Sequence, residues 1–348
     1  MQLIECTGSQ NQLLKSFFAY AKLNNPTLNV RLWRKKINIY LSVSKYLILT
    51  SKTLIVIVGP TAVGKTSFSI QLAKKLKCEI VSADSRQFYK EISIGTAKPS
   101  NYELNQVKHH FIDSLSIHDN YSAGQFEEDA LKCVTSLFQQ YNRAILVGGS
   151  GMYVDAVCSG IDEIPSNSSV RAQLNKEFNE YGILPLQKEL EQKDPTHFKS
   201  MDIQNPNRLI RALEVCRHTG NTYTSYRKNK PKKRPFSILK IGLHLDKEKL
   251  HENISNRVDT MLNQGLLREI NKLEEYQNLN ALNTVGYKEL FKYKNNLCSL
   301  EAAITDIKRN TIKFAKRQMT WFKKDESVHW FNVDNLKSIQ KFIEKKIN

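Results

Sequence analysis

Cysteine is sparse in this 348-residue chain and nowhere paired: Cys6, Cys78, Cys133, Cys158, Cys216 and Cys298 lie scattered, with no C-x-x-C among them. That spacing excludes a disulfide framework and a cysteine zinc site, and reads as reduced thiols in a cytoplasmic protein. Also missing is any uncharged run near the roughly 18 apolar residues that cross a bilayer, so no membrane partner is expected. Acid is short as well, with 34 Asp and Glu against 52 Lys and Arg, a net charge of +18. Such an excess attracts polyanions and makes nucleic acid the leading partner class, against the plainer alternative of a Lys-rich solubilising surface. Hydrophobic residues at 41% and charged residues at 25% are ordinary for a soluble globular protein, long enough here for one large or two smaller domains.

The acid deficit is sharpest over residues 1–52, which carry eight Lys or Arg, Glu5 as the single acid, and no clear periodicity. No apolar h-region with a small-residue cleavage site is present, so a secretory signal is not expected; a basic, acid-poor segment is compatible with an organelle transit peptide. The plainer expectation is a poorly ordered extension or a misplaced start, and no chemistry is assigned to it.

Chemistry begins at residues 53–66, TLIVIVGPTAVGKT. Gly59, Pro60, Thr61, Ala62, Val63, Gly64, Lys65 and Thr66 fit G-x-x-x-x-G-K-[ST] in full, between a strand over 54–58 and a helix over 66–77 whose Phe68, Leu72 and Leu76 recur one turn apart. The glycines let backbone N–H groups converge on an anion, and the helix N-terminus adds partial positive charge. Lys65 adds a full one, and the Thr66 hydroxyl is a ligand for Mg²⁺. A nucleotide-type phosphate cradle explains this match better than a glycine turn that binds nothing.

Further apolar runs over 79–83, 144–147 and 238–245, interleaved with helical stretches such as 125–139, read as a parallel sheet with helices on both faces. The expected fold class is α/β, a P-loop-type core over 53–165 and 236–330 with the ligand at the carboxyl ends of its strands. Between 166 and 235 the pattern changes to polar helical segments punctuated by prolines and ending in RKNKPKKR, which reads as a helical domain inserted into the core, its basic run a solvated loop or a specific contact. Residues 331–348 are expected to be a C-terminal tail. Over 299–324, Ile304, Ile307, Thr311, Phe314, Ala315 and Phe322 share one helical face, while Lys308, Arg309, Lys313, Lys316, Arg317, Lys323 and Lys324 cover the other. Cations at that density suit a nucleic-acid backbone.

A Walker-B acid is lacking, because the strand over 144–147 runs into Gly148-Gly149-Ser150-Gly151. The strand after the P-loop helix ends instead in Asp84, which falls at the sheet's carboxyl edge near Lys65. There it suits a general base for an incoming nucleophile; a loop-capping Asp is the structural alternative.

Read together, GPTAVGKT (59–66), ADSRQFYKEISIGTAKP (83–99), HHFID (109–113), YSAGQF (121–126), GGSGMYVDAVCSG (148–160), NRLIRALEV (207–215), TVGYKEL (284–290) and AKRQMTWFKKD (315–325) resemble the tRNA dimethylallyltransferase family. The resemblance runs in order from 53 to about 330. It implies transfer of a dimethylallyl group from dimethylallyl diphosphate to N6 of the adenosine just 3′ of the tRNA anticodon, position 37, with Mg²⁺ as cofactor and release of diphosphate. The P-loop would then hold the donor's diphosphate, since a cradle of N–H groups reads the diphosphate and not the group attached to it.

By the same resemblance Asp84 is the base toward the adenine amino group, Arg257 stabilises the departing diphosphate, and Thr61, Lys65 and Thr66 contact the donor phosphates, Thr61 with a catalytic part. The segments matching tRNA contacts are Asp84, Ser85, Arg86 and Gln87; Ser150; Asn207, Arg208, Leu209, Ile210 and Arg211; Asn283, Thr284, Val285, Gly286, Tyr287 and Lys288; and Lys316, Arg317, Gln318 and Lys323. Ser150 departs from the family's usual Thr but keeps the hydroxyl, and Asn283 stands where some relatives carry Arg. With no Cys/His cluster after Trp330, a bacterial-type, cytoplasmic, monomeric enzyme is expected. Two rival readings are a small-molecule P-loop kinase, which turns over ATP without RNA, and a non-catalytic RNA-binding protein.

Overall fold

The computed structural model describes residues 52–228 and 230–347. The chain divides into two units, Met1–Lys52 and Thr53–Asn348. The expectation for residues 1–52 lies, but for Lys52, outside the described residues; the fold below is that of the second unit.

β1 (Thr53–Val58) leads through the P-loop into α1 (Lys65–Leu76), then β2 (Ile80–Ser82), a long loop, the short α2 (Asn101–Leu104) and β3 (His109–His110). Next come α3 (Ala123–Gln140), β4 (Arg143–Val147) and α4 (Gly151–Ser159). Five helices, α5 (Ser168–Tyr181), α6 (Leu184–Lys193), α7 (Pro195–Ser200), α8 (Pro206–Thr219) and α9 (Tyr223–Tyr226), precede β5 (Ser237–His244). The described chain continues with α10 (Lys247–Asn263), α11 (Leu266–Lys272), α12 (Tyr287–Lys294), α13 (Leu300–Phe322), β6 (Val328–Asn332) and α14 (Leu336–Ile347).

The strands form one sheet in the order β3-β2-β4-β1-β5-β6, parallel at every pairing. This is the α/β fold that the sequence implies. β1 is apolar on both faces and buried throughout, as a central parallel strand covered by helices must be. From β1 the chain goes to β2 on one side, and β5 pairs on the other, so the carboxyl ends of β1, β2 and β4 meet where the strand order reverses. Open α/β sheets bind their ligands at such a point.

Edge strands β3 and β6 were not legible as apolar runs, because an edge needs little burial. Residues 331–348, expected as a tail, hold the end of β6 and the helix α14. Ile339 and Ile343 of α14, one turn apart, are fully buried in the cluster that contains Phe68, Leu72 and Ile241. Burying each such side chain is worth about 1.5–3 kcal/mol, so α14 belongs to the core of this unit.

The helices α5 to α8 share their own apolar cluster, in which Leu174, Leu186, Leu190, Leu209 and Leu213 are at most 2% exposed. Their starts are capped by side chains: Asn167 accepts from the Val170 amide, Asp194 from His197 and Asn205 from Arg208. Leu209 and Ile210, placed by resemblance among tRNA contacts, are buried in this cluster and serve packing. A third cluster joins Tyr89 and Ile92 of the loop after β2 to Val258, Leu266 and Tyr287 of α10, α11 and α12.

Candidate active site

The P-loop is fixed from several directions. Gly59 has φ +147, and a Cβ there would stand 2.5 Å from the Leu243 carbonyl oxygen of β5, so both the turn and the close approach demand glycine. Lys65 Nζ arches back over the loop to donate to the carbonyls of Gly59 (2.9 Å) and Pro60 (2.7 Å). The Thr61 amide donates to Gln318 Oε1 at 2.8 Å, and Gln318 Nε2 donates to the Gly149 carbonyl at 2.9 Å. Gln318, assigned by resemblance to tRNA, is only 6% exposed and braces the P-loop against the turn after β4. On the other side Asn253 Nδ2 of α10 donates to the Ala62 carbonyl at 3.3 Å.

Asp84 follows β2 at the carboxyl edge, where its Oδ1 accepts from the Arg86 amide at 3.1 Å. The missing acid after β4 has a physical reason: a Cβ on Gly148 would lie 2.5 Å from the Ala83 carbonyl oxygen, so no side chain fits there. The carboxylate sits on the neighbouring strand instead. Ser150 Oγ accepts from the Ser85 amide and lies 3.1 Å from Ser85 Oγ, tying the start of α4 to the segment that carries Asp84.

The rest of the loop after Asp84 is anchored to the scaffold around it. Arg86 Nη1 donates to the carbonyls of Asn280 and Ala281, and Gln87 Nε2 to those of Thr96 and Ala97. Glu269 of α11 accepts from the amides of Ser93, Ile94 and Gly95 at 2.8–3.0 Å, and from the Tyr287 hydroxyl at 2.5 Å. Tyr287 is therefore a buried strut, and its pKa is driven up by burial first and then by the Glu269 charge. Of the other residues matched to tRNA contacts, Asn207, Arg208, Asn283, Lys288, Lys316, Arg317 and Lys323 are exposed, whereas Thr284 and Val285 are half-buried and the Gly286 amide caps α12 onto Glu289. Arg211 is held by Glu214 and the Ile164 carbonyl.

Arg257 lies one turn beyond Asn253 on α10, so the two share the helix side that meets the P-loop. Burial lowers the Arg257 pKa, opposed by the charge of Asp84. The Lys65 pKa is lowered too, to about 7, because desolvation outweighs the attraction of Asp84 and the repulsion of Arg257 adds to it. An arriving diphosphate restores the charge on Lys65, so its pKa rises in the complex. Affinity is then full below about pH 7 and declines as pH rises from there toward the raised value. Calorimetry of inorganic diphosphate near pH 8, in buffers of different ionisation heat, should show proton uptake in excess of that by Lys65→Ala; equal uptake would detach Lys65 from the diphosphate.

Lys65, Thr66, Asp84, Gln87 and His109 line one cleft. Sequence reasoning gave no role to His109, to Asn253 or to Glu269. Asn253 had a signal in its spacing of four from Arg257; the other two depend on contacts between segments far apart in the chain.

A phosphate cradle whose lysine and hydroxyl share a cleft with a carboxylate, with a desolvated arginine coupled to both charges, is equipment for transferring a group away from a phosphate. The fold and site thus define a P-loop transferase. The IPP transferase family model matches residues 87–325, and the chain belongs to that family, the tRNA dimethylallyltransferases. It is 46% identical to tRNA dimethylallyltransferase 1 of Bacteroides fragilis, over 86% of this chain and 100% of the relative. With the tRNA dimethylallyltransferase of Christiangramia forsetii the identity is 49%, over 86% and 99%. Among solved structures, the full-length tRNA isopentenylpyrophosphate transferase of Bacillus halodurans superposes with a TM-score of 0.63 at 35% identity, covering 85% of this chain and 97% of that one. A eukaryotic dimethylallyltransferase acting on tRNA gives 0.68 at 25% identity, covering 85% and 77%.

Proposed function

We infer that the protein transfers a dimethylallyl group from dimethylallyl diphosphate to N6 of adenosine 37 of tRNA and releases diphosphate. The observation that carries this reading is the convergence of Lys65, Thr66 and Asp84 on one cleft beside Arg257. The allylic C–O bond breaks and its electron pair leaves with the diphosphate, facing Lys65 and Arg257. N6 bonds to the freed carbon, and its proton passes to Asp84. Thr61 holds the loop in shape through Gln318, and its side chain is assigned to the donor phosphates.

Mg²⁺ fits the donors present, since the Thr66 hydroxyl and the Asp84 carboxylate are hard oxygen ligands on the same cleft. Among the described residues no cluster of three His, Cys, Asp or Glu side chains could hold a metal. Thr66 together with the substrate's phosphates would hold the cation, which would supply positive charge to stabilise the departing diphosphate.

The tRNA is assigned to the exposed face of α13 that carries Lys313, Lys316 and Arg317, to the exposed Lys323 and Lys324 just after it, and to the helical segment 166–235. Two cations of the full row are otherwise engaged, Lys308 with Asp259 and Arg309 with Asp306. Phe314, placed on the apolar face by periodicity, is 38% exposed with Arg317 over its ring, so the buried seam is Ala303, Ile307, Ala315, Gln318 and Phe322. Lys316→Ala with Arg317→Ala should raise the KM for tRNA and flatten its salt dependence by about 0.7–0.9 for each phosphate no longer neutralised, leaving donor affinity unchanged. Parallel salt plots for the double variant and the parent would reject this face.

Among the described residues no helix is long and apolar enough to cross a membrane. We take the protein to act as a cytoplasmic monomer. Incubation with labelled dimethylallyl diphosphate, ATP and unmodified tRNA tests the whole reading. Label should pass to tRNA with ATP untouched; ATP consumption without RNA would favour a kinase, and no turnover a binding protein.

A further inference from the structure

β3 contributes two adjacent histidines, which the alternation of a strand sends to opposite faces. His110 Nε2 lies 2.6 Å from Glu79 Oε2, in a network joined by the Tyr141 hydroxyl at 3.1 Å from Glu79 Oε1. His109 lines the cleft with Thr66 and Asp84. Its Nδ1 lies 2.8 Å from the Val107 carbonyl oxygen, which can only accept, so Nδ1 carries the ring proton. That leaves Nε2 as an acceptor. It is buried and has no hydrogen-bond partner in the protein, a placement that costs about 1–3 kcal/mol until a donor arrives.

A metal-bound, fully ionised diphosphate cannot supply that donor, since its oxygens are themselves acceptors and would repel the Nε2 lone pair. A Mg²⁺ ion bound through one hydroxyl and substrate phosphates keeps several waters, each an O–H donor strengthened by the metal charge. Imidazole is a weak direct ligand for Mg²⁺ but a good acceptor for its water. We propose that His109 is a positioning residue that accepts, at Nε2, a hydrogen bond from a water on the divalent cation held by Thr66 and the diphosphate. The inference rests on the metal–diphosphate reading of the cleft given above. Burial lowers the proton affinity of His109, with the Val107 contact opposing, so the ring stays neutral and Nε2 stays available. Metal sites depend on such outer contacts to fix the orientation of what the metal carries.

The test measures binding of inorganic diphosphate to the full chain with and without Mg²⁺, for the parent, His109→Phe and His109→Gln. The parent should bind more tightly with Mg²⁺; if it does not, the metal–diphosphate reading itself fails and takes this inference with it. His109→Phe should lose about 10–100-fold of the Mg²⁺-dependent affinity, as outer-contact removals do, with metal-free binding unchanged. His109→Gln, which presents an amide oxygen close to the place of Nε2, should recover most of the loss. If the parent shows the Mg²⁺ effect and His109→Phe keeps all of it, or loses affinity equally with and without Mg²⁺, the proposal is overturned. Nitrogen-15 NMR of the parent needs no variant: His109 should be the Nδ1–H tautomer, and its Nε2 resonance should move when Mg²⁺ and diphosphate are added together. An Nε2–H tautomer, or a resonance indifferent to the pair, rejects the proposal.

Discussion

Asp84→Asn is expected to slow single-turnover prenyl transfer by roughly 10²–10⁴-fold while the fold and donor binding persist. The amide is isosteric, and its oxygen still accepts from the Arg86 amide, so the turn after β2 keeps its shape. What disappears is the site for the N6 proton. The adenine amino group donates its lone pair into the ring, so it becomes nucleophilic only as that proton leaves, and the loss falls on the chemical step. A second consequence separates this variant from a merely misfolded one. The Asp84 charge supports the protonated state of Lys65, so without it the Lys65 pKa falls below about 7 and the decline of donor affinity starts at lower pH. Rapid-quench transfer at saturating donor and tRNA, run beside a pH series of diphosphate binding, reads both. A transfer rate near the parent's would remove Asp84 as the base, and an unmoved pH series would detach it from Lys65.

What the sequence made legible was whatever is contiguous. The strand, loop and helix of the P-loop occupy 53–76 without interruption, and hydrophobic period, glycines, lysine and hydroxyl all point the same way. Asp84 could be placed because a strand of known direction ends just before it. Contacts across the chain were another matter. Gln318 meets Thr61 from 257 positions away, and nothing in AKRQMTWF marks its amide as inward while the flanking Arg317 faces out. A cationic stretch on an amphipathic helix reads as one surface, but the helix turns 100° per residue, and position 318 falls on the seam with Ala315 and Phe322. Tyr287 misled for a related reason: a family motif fixes where a segment is needed, not whether each side chain meets the ligand or the scaffold. The α14 case differs, because Ile339, Phe342 and Ile343 already carry helical spacing that the short length after β6 made easy to overlook.

The same argument explains why the polar residues missed from sequence support the reactive ones. Glu269 is one carboxylate receiving four donors, three of them consecutive amides of the loop that begins at Asp84. It ties that loop to α11, as Gln318 ties the P-loop to α13 and Asn253 ties it to α10. The base, the cradle and the arginine sit on different segments of one unit, and catalysis by positioned charge requires that their separations be set before the substrate arrives.

Arg257→Ala should cost roughly 10²–10³-fold in the single-turnover rate, with a smaller effect on tRNA affinity, because its charge acts on the diphosphate as the C–O bond breaks. The buried side of α10 is formed by Ile254, Val258 and Met261, so truncating Arg257 leaves the helix packing intact. A guanidinium held in a desolvated place beside Lys65 is unfavourable before an anion arrives, which is why burial lowers the pKa of both cations and only Asp84 opposes it. The cost is offset in the reaction. Negative charge on the leaving oxygens grows toward the transition state, so the attraction is stronger there than in the bound donor, and an interaction of that kind raises the rate more than the affinity. Arg257→Lys should recover part of the loss, since it restores the charge without the two-pronged geometry. The measurement is transfer at saturating donor and tRNA together with tRNA binding by titration. If tRNA affinity collapses while the saturated rate holds, Arg257 docks the RNA and the departing diphosphate is left to Lys65 and the cation at Thr66.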